Sequence, residues 1–261
     1  LTHKEKMLTF MKEIAGAAGA MALAEWGLFS PDSIKAKSTD KDLVTEVDRN
    51  IEQMLIKRIQ QRYPEHGIHG EEFGHRGKGR EFCWVLDPID GTTSYIHQHP
   101  FFSVSIGLTR NGQPIAGVVF APKLDEMFWA ESGSGAFLNG RQIHVSTRAK
   151  LSESLLATGF ACVRAGLTEN NLKYFCRLLP EIRGIRRCGS AAIDLSYVAC
   201  GRYDGYWEMQ LQPYDIAAGI IIVREAGGIV TDMHGGDNFP EQGFAASNAL
   251  IHTELLTHFK G

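Results

Sequence analysis

A chain of 261 residues, 44% hydrophobic and 22% charged, carries enough apolar material to bury a large core. Its net charge of −3, with both signs dispersed and no basic block, argues against direct nucleic-acid binding. Five scattered cysteines without metal-type pair spacing read as reduced thiols of a cytoplasmic protein, and neither a signal peptide nor an apolar run of membrane-spanning length is expected.

Met7, Met11, Ile14, Ala18 and Met21 recur at steps of four and three, which predicts an amphipathic helix to about Trp26. A second apolar stripe, Val47, Ile51, Met54, Leu55 and Ile59, predicts another helix, and locally Thr45 or Asp48 near its start reads as a capping side chain. After Tyr63-Pro64 a short strand Gly67-Ile68-His69 runs into Gly70-Glu71-Glu72, and Gly74 to Arg80 reads as a flexible loop.

An apolar strand, Phe82 to Leu86, then delivers Asp87-Pro88-Ile89-Asp90-Gly91-Thr92-Thr93. Pro88 is expected to end the ladder. Asp87, the Ile89 carbonyl and Asp90 offer hard oxygen ligands to one volume, and the Gly91, Thr92 and Thr93 N–H groups offer an anion cradle. Asp-Pro and Asp-Gly are also ordinary turn formers, so on this stretch alone a surface loop competes with a metal or phosphate site.

Phe101–Leu108, Pro114–Phe120, Glu126–Ala130 and Gly135–Leu138 follow as four strands of an antiparallel meander, with Asn111-Gly112 and Asn139-Gly140 as turns. The second half alternates. Strands are predicted at Leu155–Thr158, Gly184–Arg187, Asp204–Glu208, Ile229–Thr231 and Phe244–Ala246. Helices are predicted at Glu169–Leu178, from Ser190 as cap to Cys200, from Pro213 to Glu225, and around Ile251, Leu255 and Phe259. Asp215, in the first turn of the Pro213 helix, either complements the helix dipole or faces a cleft.

Gly70-Glu71-Glu72, Asp87 to Thr93, Gly189-Ser-Ala-Ala192, Pro213-Tyr-Asp-Ile-Ala-Ala-Gly219 and Glu225-Ala-Gly-Gly228, together with the Asp42 to Asp48 stretch, resemble the inositol monophosphatase family over nearly the whole chain and in family order. The resemblance implies an α+β fold, the layered αβαβα sandwich shared with fructose-1,6-bisphosphatase. It implies one phosphatase domain over residues 1–261, with an α+β half to residue 150 and an α/β half from 151. It also implies a lithium-sensitive, Mg²⁺-dependent hydrolase of a small phosphorylated alcohol, working as a homodimer.

By position, Glu71, Asp87 and the Ile89 carbonyl would hold one Mg²⁺, and Asp87, Asp90 and Asp215 a second. A third, weaker ion would share Glu71, with Glu72 beside it. Gly91 and Thr92, next to Asp90, would bind phosphate, and Glu71, Asp48 and Thr92 would position the attacking water, with Thr45 and Lys37 nearby. Gly189, Ser190, Ala191 and Glu208 would touch the alcohol.

The chemistry is coherent without the family. A phosphate monoester dianion repels hydroxide, and metal coordination brings the pKa of water from about 15.7 toward about 7. Carboxylates from separate segments cannot crowd together without cations. Two departures stand out: Tyr214 replaces the usual Trp, and Gln212 stands where inositol-processing relatives can carry His.

An inositol-1-phosphate-like substrate is the first expectation, with histidinol phosphate, fructose 1,6-bisphosphate and NADP as alternatives. A binding role in a transcription complex is the non-enzymatic one. Aspartyl-phosphate chemistry of the Asp-x-Asp type is disfavoured, because two residues rather than one separate Asp87 from Asp90.

Overall fold

The computed structural model describes residues 3–28, 34–36, 43–241 and 243–260. The first half comprises α1 (His3–Glu25), β1 (Ile34–Ala36), β2 (Leu43–Thr45), α2 (Glu46–Arg62), β3 (Gly67–Gly70), β4 (Gly74–Arg76), β5 (Phe82–Asp90), α3 (Thr92–Ile96), β6 (Ser103–Arg110), β7 (Gln113–Ala121), β8 (Glu126–Glu131), β9 (Ala136–Leu138) and β10 (Arg141–Ile143). The second comprises β11 (Leu155–Thr158), α4 (Ala161–Arg164), α5 (Leu172–Leu178), β12 (Gly184–Arg186), α6 (Ala191–Ala199), β13 (Gly205–Glu208), α7 (Pro213–Glu225), β14 (Ile229–Thr231), β15 (Phe244–Ser247) and α8 (His252–Thr257).

Eight strands form one sheet in the order β10-β9-β8-β7-β6-β5-β3-β4, and five form another in the order β12-β11-β13-β15-β14. From β5 to β10 every sequential pair is antiparallel, so the expected meander is present and extends further in both directions. The α1 and α2 stripes pack on the outer face of the large sheet, where Met11, Ile14, Ile51 and Leu55 meet Trp84 and Ile106. Its other face is covered by α6 and α7, which also back onto Tyr206, Phe244 and Ala246 of the small sheet. Tyr174, Leu178, Leu255 and Phe259 of α5, α8 and the adjoining C-terminal turn cover the far side of that sheet. The layer order is therefore αβαβα.

The central helix explains how a carboxylate reaches the middle of this stack. Ile216 to Val223 of α7 are all buried, because both faces of the helix meet protein. It lies almost on the sheet backbone: a Cβ added at Gly117 would stand 2.7 Å from the Ala218 carbonyl oxygen, and one at Gly107 2.8 Å from the Ala217 Cβ. Small residues on both sides permit that approach, which brings the first turn of α7 to the end of β5.

Several local expectations differ from the structure. β5 continues through Pro88 to Asp90 instead of stopping before it. Part of the expected 74–80 loop is strand β4, paired with β3. The helix expected from Glu169 begins at Leu172, and the short α4 precedes it. The stretch Lys6–Glu25, with mean hydropathy 1.2, is by length and composition alone apolar enough to cross a membrane. Its Ala- and Gly-rich sequence raises the average without a continuous run of large side chains, and Met11, Ile14, Ala15, Ala18 and Ala22 are fully buried in the protein core.

Candidate active site

The end of β5 is built around a bulge. Asp87 pairs with Ser105 and Asp90 with Ser103, so three steps on β5 oppose two on β6. Pro88 has no N–H to give the ladder, and the extra residue absorbs that defect. Strand residues three apart ordinarily face opposite sides of a sheet. The bulge reverses this alternation, and both carboxylates enter the same volume.

Asp215 joins them from the first turn of α7, where its carboxylate accepts the Gln212 N–H at 2.6 Å, following Pro213 as the first helical residue. One carboxylate oxygen each of Asp87, Asp90 and Asp215 lies within 4.8 Å of the others. Glu71, whose N–H donates to the Leu86 carbonyl at 3.1 Å, brings a fourth carboxyl into contact with Asp87.

Electrostatics at this point is unfavourable for bare anions. Burial, then the charges of Glu71, Asp90 and Asp215, pushes the Asp87 carboxyl well above the usual carboxylate range. Burial followed by Asp90 does the same to Asp215. Asp90 is pushed up to about 6 by burial, against the Ser190 hydroxyl and the Ala192 and Ala191 N–H groups that favour its ionised form. These donors lie at 2.5, 2.8 and 3.3 Å and fix Asp90 to the start of α6.

Asp87 Oδ1, in contrast, is buried with no hydrogen-bond donor. Crowded, dehydrated oxygens of this kind fit a hard divalent cation, which would replace the missing donors and remove the repulsion. Asp87, Asp90, Asp215 and Glu71, with the nearby Ile89 carbonyl, are the groups that could hold it.

Beside the carboxylates α3 begins. Gly91 caps it at φ +93°, a left-handed conformation suited to glycine, and an added Cβ would stand 2.9 Å from the Phe101 carbonyl. The first-turn N–H groups of Thr92 and Thr93 have no acceptor within the helix. Thr92 Oγ1 faces both the Ile89 carbonyl (3.2 Å) and Asp48 Oδ1 (3.5 Å). Asp48 is fully buried inside the first turn of α2, which starts at Glu46, so it is not the cap of that helix. Lys37 lies outside the described residues, as does the side chain of Thr45.

One turn further along α2, Glu52 accepts the N–H groups of Glu72 (2.8 Å) and Phe73 (2.9 Å) and so anchors the segment carrying Glu71. Burial raises its pKa against those two donors. Glu72 itself points to Arg49, at 3.6 Å. Glu52 is absent from the sequence-based expectations, although an acid on the same helical face as Ile51 and Leu55 is its signal in the sequence.

The other wall of the cleft carries Gly189, Ser190, Ala191 and Glu208, and Ser190 and Ala191 also hold Asp90. Ser190 caps α6 by accepting the Ile193 N–H at 3.2 Å. Burial raises the Glu208 pKa, while the Tyr206 hydroxyl (2.6 Å) and the Ala161 N–H (3.0 Å) lower it. Two charged lining residues, Asp194 and Arg187, were not foreseen. The cleft encloses about 130 Å³. With cations on one side and buried oxygens on the other, the arrangement is able to bind a small phosphorylated alcohol and activate water against it.

Comparison with known proteins gives matches over nearly the whole chain. The sequence model of the inositol monophosphatase family matches residues 3–260. An inositol-1-monophosphatase of Synechocystis sp. is 47% identical over 250 residues, covering 95% of this chain and 86% of that protein. A Nus factor SuhB of Pseudomonas aeruginosa is 41% identical, covering 97% of this chain and 95% of its own. The solved inositol monophosphatase of Anabaena (Nostoc) sp. superposes with a TM-score of 0.89 at 40% identity, over 98% of this chain and 96% of the other.

Proposed function

The chain belongs to the inositol monophosphatase family, a family of metal-dependent phosphatases, and from that premise we propose that it hydrolyses an inositol-1-phosphate-like monoester with Mg²⁺. The observation that carries this reading is the meeting of Asp87, Asp90 and Asp215, from two distant chain segments, within 4.8 Å. Together with Glu71 and the Ile89 carbonyl they would hold two Mg²⁺ ions, and a third would share Glu71. When bound, such ions acidify water and neutralise charge on the phosphate and on the departing alkoxide.

The remaining roles fall to the chain itself. The Gly91 and Thr92 N–H groups at the start of α3 receive phosphate oxygens, which are favoured at a helix N-terminus. Asp48, Thr92 and Glu71 orient the water in line with the phosphorus, and the Asp48 carboxylate holds the Thr92 hydroxyl so that its lone pairs face the water. The water oxygen bonds to phosphorus as the P–O ester bond breaks, and a proton given up by that water leaves with the alcohol. Gly189, Ser190, Ala191 and Glu208 contact that alcohol.

Phosphate release from inositol 1-phosphate, histidinol phosphate, fructose 1,6-bisphosphate and NADP, with Mg²⁺ and with EDTA, tests the proposal. The expected result is the highest kcat/KM for inositol 1-phosphate and no release in EDTA. A clear preference for histidinol phosphate overturns the choice of substrate, and metal-independent release overturns the chemistry.

The Nus factor relative favours a second reading, a binding role in a transcription complex in addition to catalysis. A cellular phenotype that survives Asp90→Asn supports that role. One lost with the activity argues against it.

A further inference from the structure

Asp194 stands out among the groups the proposed mechanism leaves unused. It lies in the first turn of α6, is 2% exposed, and forms part of the cleft wall beside Glu208. Its Oδ1 is buried and receives no hydrogen bond.

The donors around it are committed elsewhere. The Tyr206 hydroxyl donates to Glu208 at 2.6 Å. Tyr203 Oη is engaged with Cys188 Sγ at 3.4 Å. Arg187 also lines the cleft, its guanidinium resting against Gly189, and forms no ion pair with Asp194 among the described residues. A buried carboxylate near two other anions, Glu208 and Asp90, is costly to keep, and the nearby Arg187 charge offsets part of that cost without giving Oδ1 a donor. A hydroxyl entering the cleft is able to supply it.

We propose that Asp194 is a specificity-determining residue that accepts a hydrogen bond from a hydroxyl of the alcohol moiety, selecting polyol over simple phosphate esters. The proposal rests on the phosphatase reading above and deepens it. Glu208 and Asp194 would together read hydroxyl groups of the alcohol.

The test compares wild type with Asp194→Asn on two esters in saturating Mg²⁺: glycerol 2-phosphate, whose alcohol carries hydroxyls, and 4-nitrophenyl phosphate, whose alcohol carries none. The expected result is a fall of about ten- to a hundred-fold in kcat/KM for glycerol 2-phosphate, expressed mainly in KM. Turnover of 4-nitrophenyl phosphate should stay within about two-fold, since no hydroxyl contact is lost. Equal losses on both esters would assign Asp194 a structural role, and no loss on either would make it a bystander. Both results overturn the proposal. Asp194→Ala, checked by its thermal midpoint, should show the same ester-dependent split. A wild-type protein that cleaves neither ester overturns the phosphatase reading itself, whereas an active wild type with an unchanged ratio overturns the assignment of Asp194 alone.

Discussion

At the scale of single residues, the site combines side chains that need a cation with side chains that need a neighbour. Asp90 is both, since it belongs to the carboxylate cluster and also receives three donors from the start of α6. Asp90→Asn therefore removes a candidate metal ligand and turns an amide N–H₂ toward groups that themselves donate. Phosphate release should fall by at least about a hundred-fold, with about 1–3 kcal/mol of stability lost as well. Turnover at wild-type rate in saturating Mg²⁺ would refute the assignment. Thr92→Val keeps the backbone N–H and loses only the hydroxyl beside Asp48, so kcat should drop while the Mg²⁺ concentration for half-activity stays within about two-fold. A matching loss of Mg²⁺ affinity would place Thr92 among the metal ligands instead.

Elements are positioned by contacts that short-range patterns express unevenly. The central helix α7 and strand β14 were legible residue for residue, because an apolar run after Pro213 and another bounded by Gly227-Gly228 have few alternative readings. β4 was not: it is an exposed edge strand held by backbone pairing to β3, so its side chains carry no alternation. Nor was α4, whose four residues are too few for a helical period. The bulge at Pro88 is not legible in the sequence, because the partner strand that defines its register is invisible locally. Glu52 and Asp194 escaped for a related reason, since their importance lies in what packs over them. The seating of α7 on the sheet gives a direct test. A Cβ at Gly117 would press on Ala218, so Gly117→Val should cost about 1–3 kcal/mol and move the thermal midpoint down by several degrees, at about 2–4 °C per kcal/mol. The shift should also lower kcat by displacing Asp215. An unchanged midpoint would show that the helix is free to move.

Across the whole molecule, the αβαβα stack brings segments distant in sequence to one cleft, and the repulsion stored there links folding to cations. Mg²⁺ at about a hundred times its dissociation constant should stabilise the fold by about 2.7 kcal/mol, seen as a higher thermal midpoint that EDTA reverses. The far edge of the small sheet responds to acid. His252 of α8 is buried between Thr231 Oγ1 (3.0 Å) and Ser247 Oγ (2.8 Å), and burial lowers its pKa below 6.5. Between that lowered value and 6.5 the unfolded chain binds the proton more readily, so this stability is complete above 6.5 and is lost as the pH falls below it. Thermal midpoints in saturating Mg²⁺ should decline from pH 7 to about 5.5, and His252→Gln should flatten that limb. An identical decline in the variant would assign it to other groups.

Catalysis of the proposed kind requires that acids gathered from separate strands and helices share a bound ion. A crystal soaked in Mn²⁺ and measured at the manganese edge answers this most directly. The account predicts an anomalous peak touching Asp87, Asp90 and Asp215 together, absent from crystals of Asp87→Asn. A clean map at that position in a protein still releasing phosphate under EDTA would contradict it.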